Sequence, residues 1–182
     1  MNIVSLRAKH PRLIYQSFEI AEAADALTVR FHFLLEPDIH FTPELTIPIK
    51  NIIDKNRIKE LVFNLGMVEA ISYWKAACSP ELVIEAGNLT PEQISWWHDL
   101  FLNGLGEFFY KNHIDFTQKD FLTISSSQPI HPSPITHHPS PLSGDLVMIG
   151  GGKDSAVTID LLKNVQQPKV ALLLNPTTAS LN

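Results

Sequence analysis

The stretch at residues 146–162, LVMIGGGKDSAVTIDLL, constrains the fold more than any other part of this chain. An apolar run leads into Gly150, Gly151 and Gly152, then Lys153, Asp154 and Ser155, and then a run with helical spacing. DLVMI reads as a parallel strand, DSAVTIDLLKN as a helix and KVALLLN as a second strand, which makes a βαβ unit with a right-handed crossover. Open sheets of this kind hold ligands beyond the carboxyl ends of their strands, and the glycine loop falls there. Glycine permits positive φ and lets main-chain N–H groups approach an anion closely. The helix that follows adds its N-terminal amides and the positive end of its dipole. Lys153 can neutralise charge, Ser155 can donate a hydroxyl hydrogen bond, and Asp154 can cap the helix or help to place a metal bound to phosphates. A glycine-rich turn can also serve tight packing alone, but K-D-S after three glycines is polar for that purpose. A nucleotide pyrophosphate is the expected ligand.

Two common nucleotide loops do not match. A P-loop needs G-x-x-x-x-G-K followed by Ser or Thr, but Val147 stands five before Gly152 and Asp154 follows Lys153. A dinucleotide fingerprint needs a third glycine in register after Gly152, and none arrives. The string instead resembles the S-G-G-x-D-S loop of the PP-loop ATP pyrophosphatases. Gly151, Gly152, Asp154 and Ser155 match it, while Gly150 stands where that family has its first serine. The resemblance implies cleavage of ATP between its α and β phosphates, with backbone near 174–177 helping to hold adenine.

The chain has 182 residues, 45% of them hydrophobic, enough for one medium or two small domains with a real core. A formal net charge of -5 gives no general reason to expect nucleic acid or an anionic membrane as a partner. The first twenty residues lack the uninterrupted apolar segment of an export signal. No run approaches the roughly 20 apolar residues of a membrane span. The single cysteine, Cys78, rules out an intrachain disulfide. The expectation is a cytoplasmic protein.

Residues 13–49 alternate and are rich in β-branched side chains, suggesting a small antiparallel meander whose third strand, with Pro43 and Pro48, lies at an edge. The period then changes. Ile58, Leu61, Val62, Leu65, Val68 and Ile71 recur at spacings of three and four, predicting a helix over 57–77 that ends at Ser79-Pro80. ELVIEAG reads as a short buried strand. Thr90, Pro91 and Gln93 form a helix start signal with a capping box, predicting a helix to about Asn103 that resumes over 107–112 after Gly104 and Gly106. Prolines and serines over 123–143 predict an extended linker. Its His131, His137 and His138 have neither regular spacing nor carboxylate partners, so no metal site is expected there. The domains expected are 1–122, an α+β unit with a small antiparallel sheet and helices; the linker 123–143; and 144–182, the first βαβ unit of an α/β PP-loop domain of the adenine nucleotide alpha hydrolase-like kind, incomplete.

Residues 63–114, together with GGGKDS, resemble the UDP-N-acetyl-α-D-muramoyl-L-alanyl-L-glutamate epimerase family of bacterial peptidoglycan synthesis. The resemblance implies an ATP- and Mg2+-dependent inversion of the terminal L-glutamate of a nucleotide-linked muramoyl dipeptide, with Gly150, Gly151, Gly152, Lys153, Asp154 and Ser155 holding the nucleotide. Glu69, Tyr73, Lys75, Glu85, Asn103 and Glu107 lie in the segment that carries the resemblance and are the candidate substrate contacts. The catalytic acid and base are not identifiable from the sequence. Trp74, Trp96, Trp97, Phe108 and Phe109 read as core rather than a stacking platform, and Cys78 as a small apolar helix residue rather than a base. Members of that family are longer, so the chain reads as an N-terminal portion with a possible complementary C-terminal portion as partner. Two other classes stay open: another AMP-forming PP-loop enzyme, either an amide ligase or a tRNA-modifying thiolase, and an inactive nucleotide-binding fragment. The tRNA enzymes would call for a basic face and a cysteine pair, and the sequence offers neither.

Overall fold

The computed structural model describes residues 2–49, 55–126 and 144–173, and the chain divides into two compact units, Met1–Pro132 and Ser133–Asn182. In the first unit, β1 (Arg12–Glu22) and β2 (Ala26–Leu35) pair antiparallel from Leu13 opposite Leu35 to Glu22 opposite Leu27, with a bulge between Tyr15 and Ser17. The expected third strand is two short ones, β3 (Ile39–Phe41) and β4 (Glu44–Pro48), and both pair with β2 along its other side. Pro43 interrupts them because it has no N–H to give the ladder, although its carbonyl still accepts from Phe31 N at 3.0 Å.

The sheet is larger than the antiparallel meander expected, and it is mixed. The strand β5 (Glu81–Ile84) lies parallel to β1, pairing Arg12 with Glu81 through Tyr15 with Ile84. A further strand, β6 (Thr123–Ser126), lies parallel to β5. These four residues belong to the stretch read as linker. Their strand identity comes from pairing with β5, which local composition does not reveal; residues 127–143, with the three linker histidines, lie outside the described residues. Parallel neighbours require a crossover, and helices supply it.

The first helical crossover is α2 (Lys55–Trp74), which packs on β1 and β2. On β2, Leu27, Val29, Phe31, Phe33 and Leu35 alternate into the core, as a period of two demands. The buried line of α2 is offset from the one the sequence suggests. Val62, Met67, Ala70 and Trp74 are buried, whereas Leu61 and Val68 are exposed. The reason is Gly66: a Cβ there would stand 2.0 Å from Tyr15 Oη and 2.9 Å from the Phe31 ring, so the helix meets the sheet along the side where it has no side chain. The helix also ends earlier than expected. Cys78, at φ 49, turns the chain, its N–H donating to Trp74 O at 2.7 Å, while Trp74 Nε1 donates to Ser79 O at 2.8 Å. Cys78 is therefore buried in a turn and is not a helix residue.

The helix α3 (Pro91–Asn103) begins with the capping box read from the sequence, Thr90 and Gln93 each serving the other's backbone N–H, and α4 (Gly106–Lys111) follows. Trp74, Trp97 and Phe109 are buried and Phe108 is half-buried, but Trp96 is 59% exposed and is no core residue. A helix the sequence reading did not pick out, α1 (Ile3–Lys9), is capped by the Asn2 side chain. Its Arg7 donates to Phe121 O at 2.7 Å and to Cys78 O, and lies 4.0 Å over the Phe121 ring. This ties the N-terminus to the turn after α2 and to the approach to β6.

In the second unit, β7 (Asp145–Met148) and β8 (Lys169–Leu172) pair in parallel, and α5 (Lys153–Leu162) connects them. The βαβ unit read from the sequence is present, with the helix one residue earlier at its start.

Candidate functional site

The glycine loop leaves β7 after Ile149, whose N–H still donates to Leu172 O at 2.9 Å. At Gly150 the chain turns away from the sheet, and the Gly150 N–H donates to Ser155 Oγ at 2.9 Å. One side chain thus closes the loop across five residues. The Ser155 hydroxyl oxygen is the acceptor in that bond, so its own proton remains available to a ligand. Gly151 has φ 77, in the left-handed region where a side chain is strained. Gly152 is the N-cap of α5 and is extended, and no side chain caps that helix end. The first-turn amides of a helix have no partner within the helix, so those of α5 are presented at the loop.

Space and chemistry agree with an anionic ligand. A Cβ built at Gly151 or Gly152 would meet nothing within 4 Å, so the loop is open on that side. Lys153 and Asp154 are exposed at the mouth, and Ser155 is half-buried. This set suits a di- or triphosphate: amides and a hydroxyl for oxygens, a lysine for charge, and one carboxylate beside it for a phosphate-bound Mg2+, which takes few protein ligands. Among the described residues no group of three His, Cys, Asp or Glu side chains could hold a metal ion. The region near 174–177 expected to meet adenine lies outside the described residues.

The structure brings together only some of the six expected substrate contacts. Glu69 and Tyr73 sit one turn apart on α2. The Tyr73 ring stacks on Phe41 at 4.5 Å and tilts against Phe33 at 5.2 Å. Burial, reinforced by the neighbouring Glu69, holds the Tyr73 hydroxyl above its ordinary pKa. Lys75 follows the end of α2 and is half-buried, and Glu85 is exposed just past β5, its N–H donating to Tyr15 O at 2.9 Å. Asn103, at the end of α3, donates to Asp99 at 2.7 Å. Glu107 on α4 is exposed and pairs with Lys111 at 2.6 Å.

Two features of the first unit were not read from the sequence. Asn103 helps to line a cleft of about 400 Å³ between α3 and residues 116–121, together with His98, Asp99, Lys119 and Asp120. His98 Nε2 lies 3.0 Å from Leu122 O beside it. The only local signal was Asp115, whose carboxylate accepts from Thr117 N and Oγ1 and folds the turn. The second is Tyr15 Oη, buried against Gly66 and without a hydrogen-bond partner among the described residues.

Comparison with known proteins bears on the chain as a whole. The family model of the MurL N-terminal domain matches residues 5–182. A protein of Xanthomonas oryzae pv. oryzae named UDP-N-acetyl-alpha-D-muramoyl-L-alanyl-L-glutamate epimerase is 31% identical over 104 residues, which is 55% of this chain and 21% of that protein. One of the same name from Salinispora tropica is 26% identical over 144 residues, 75% of this chain and 30% of that protein. The matches thus span less than a third of either relative's length. No solved structure matches the chain. No helix among the described residues is long and apolar enough to cross a membrane. With the match running through both units, from the first helix to the glycine loop and beyond, the chain belongs to the MurL N-terminal domain family.

Proposed function

We propose that this chain forms the N-terminal part of an enzyme that inverts the terminal L-glutamate of UDP-N-acetylmuramoyl-L-alanyl-L-glutamate to D-glutamate, in cytoplasmic peptidoglycan synthesis, using ATP and Mg2+. The observation that carries this reading is the family match running through a strand, glycine loop and helix suited to phosphate. The Gly150 N–H is held by Ser155 Oγ and shapes the loop, while the amides at Gly151 and Gly152 and the start of α5 would take phosphate oxygens, Lys153 would offset their charge, Ser155 would donate its hydroxyl, and Asp154 would help to hold a phosphate-bound Mg2+. Glu69, Tyr73, Lys75, Glu85, Asn103 and Glu107 remain the candidate substrate contacts, Glu69 with Tyr73 being the pair that shares one face.

The chemistry asks for activation of the carboxylate. Removing the α-proton beside an ionised carboxylate places a carbanion next to an existing negative charge. Transfer of AMP to that carboxylate, with release of pyrophosphate, cancels the charge and makes the proton acidic enough for a positioned base. Return of a proton on the other face, then hydrolysis of the acyl phosphate bond, gives the D-residue and AMP. A thiol base from Cys78 does not fit: the side chain is buried, and burial pushes its pKa up to about 11, so it stays protonated near neutrality.

The test uses the complete protein with ATP, Mg2+ and the UDP-muramoyl dipeptide, followed by acid hydrolysis and chiral analysis of glutamate. D-glutamate is expected, together with AMP. Only L-glutamate would remove the assignment, and D-glutamate without AMP would remove the activation step.

A further inference from the structure

The cleft between α3 and residues 116–121 is rich in hydrogen-bond acceptors. His98, Asp99 and Asn103 line it from α3, and Lys119 and Asp120 from the turn opposite. His98 Nε2 must be the donor toward Leu122 O, because a carbonyl has no proton to give, so the neutral ring keeps an acceptor at Nδ1. Asn103 donates its Nδ2 to Asp99 Oδ1, which leaves Asn103 Oδ1 and Asp99 Oδ2 without a partner among the described residues. The Asp120 carboxylate has none there either. Two carboxylates against the single ammonium of Lys119 make the cleft net acidic. Beside it stands Trp96, one helical turn before Asp99 and therefore its neighbour on the surface of α3. The Trp96 ring lies nearly perpendicular to the buried Trp97, at 4.9 Å between centres, and that contact braces an indole that is otherwise open to solvent. A single exposed aromatic is ordinary on a protein surface; its place at the rim of a polar cleft is what gives it meaning.

Such a lining selects a ligand that brings donors. A phosphate or a free carboxylate brings none and meets two like charges. Sugar hydroxyls donate, and their bonds to ionised carboxylates are of the stronger, charge-assisted kind. We propose that this cleft binds a sugar ring through its free hydroxyls, which donate to Asp99, Asp120 and Asn103 Oδ1, while the ring's C–H face, or a base attached to it, packs on Trp96. Lys119 donates to an ether or carbonyl oxygen of the same ligand. Resting on the function proposed above, the sugar belongs to the nucleotide-linked dipeptide, as either its ribose or its N-acetylmuramoyl ring. Of the six candidate substrate contacts, Asn103 lines this cleft and the other five do not. The site thus grips a part of the substrate remote from the glutamate, where binding energy serves to position the reacting end.

Amide and indole shifts of the 15N-labelled chain test this. The UDP-muramoyl dipeptide at millimolar concentration should move the Trp96 indole N–H and the amides of 98–103 and 116–121, and inorganic phosphate should not. Two smaller probes separate the sources. Uridine moving these signals where 2′,3′-dideoxyuridine does not assigns the ribose, and the amide of N-acetylmuramic acid moving them assigns the muramoyl ring. Trp96→Ala and Asp99→Asn should each weaken binding of the dipeptide by about tenfold, and Trp96→Phe should recover most of the loss. Both positions are exposed, so the remaining amides of the first unit should keep their shifts and report an intact fold. Four results overturn the proposal: a dipeptide that leaves these signals still; phosphate that moves them, which makes the cleft an anion site; dideoxyuridine binding as well as uridine while the muramic amide does not bind, which makes the base the ligand; or both Trp96→Ala and Asp99→Asn binding the dipeptide as tightly as the unaltered chain. The chiral assay of the complete protein reads the reaction separately. D-glutamate with silent cleft signals removes the sugar site and keeps the epimerase, whereas sugar binding in the cleft with only L-glutamate formed removes the epimerase and keeps the sugar site.

Discussion

The first unit buries Trp74, Tyr15, Phe31, Phe33, Phe101 and Phe109 almost completely, whereas the second buries a single large apolar side chain among its described residues, Val147. In the first, β1 is covered on both faces where it runs between β2 and β5, and Trp74 meets Phe101, Phe109 and Phe121 edge-on at 5.3 to 6.2 Å. In the second, α5 leaves Val157, Ile159 and Leu161 exposed. The difference teaches that a local motif and a stable core are separate achievements. A strand, a glycine loop and a helix form from local sequence between Asp145 and Leu162, yet they bury far less apolar surface than the mixed sheet of the first unit.

The contrast can be broken most forcefully at Trp74. Trp74→Ala should destabilise the first unit by about 3–5 kcal/mol, as large aromatic deletions in cores do, and should orphan Ser79 O as well. Urea unfolding followed by tryptophan fluorescence reads this unit alone, because Trp74, Trp96 and Trp97 are the chain's only tryptophans. Amide exchange over 145–172 should be unchanged, and a parallel loss there would show that the units are one cooperative body. The converse substitution is Gly151→Ala. Placing a Cβ at φ 77 should cost about 1–2 kcal/mol locally, weaken MgATP binding in the complete protein by about tenfold for each 1.4 kcal/mol lost, and leave the fluorescence midpoint of the first unit in place.

Smaller effects sharpen the picture within the first unit. Thr90→Ala removes the acceptor of the Gln93 N–H and half of the capping box, for an expected loss of about 1 kcal/mol. Thr90→Ser, which keeps the oxygen, should restore most of it. The pH dependence is gentler. The Cys78 thiol is raised by burial from 9.0 to about 11, the Arg7 charge opposing, and burial also raises Tyr15. The unfolded chain therefore releases these protons first. Below about pH 9 the Cys78 contribution is fully present, and stability should fall as pH rises toward 11. Cys78→Ala should flatten part of that slope in urea midpoints taken between pH 8 and 11. An unchanged slope would show that the thiol is not responsible.

What could be read from the sequence was whatever rests on near neighbours. The capping box at Thr90 and Gln93, the alternation along β2 and the loop after β7 are decided within a few residues. The face of α2 was not, because Gly66 meets Tyr15 and Phe31 from distant strands. Nor was β6, whose Thr123–Ser126 looks like the polar chain around it until it pairs with β5. For the candidate site, the loop was legible as a strand-to-helix turn because it is closed locally, by Ser155 accepting from the Gly150 N–H. The six candidate contacts were drawn from one stretch of sequence, and folding spreads them over α2, the end of β5, α3 and α4. The cleft beside Asn103 depends on α3 lying over residues 116–121, which no local pattern reveals.

The division of labour between the units can be measured residue by residue. MgATP added to the 15N-labelled chain, with amide shifts recorded at each step, should move the signals of Gly150, Gly151, Gly152, Lys153, Asp154 and Ser155 and leave those of β1, β2, β5 and α2 still. Shifts clustering in the first unit, or no shifts at the glycine loop at millimolar MgATP, would contradict the assignment of the nucleotide to the second.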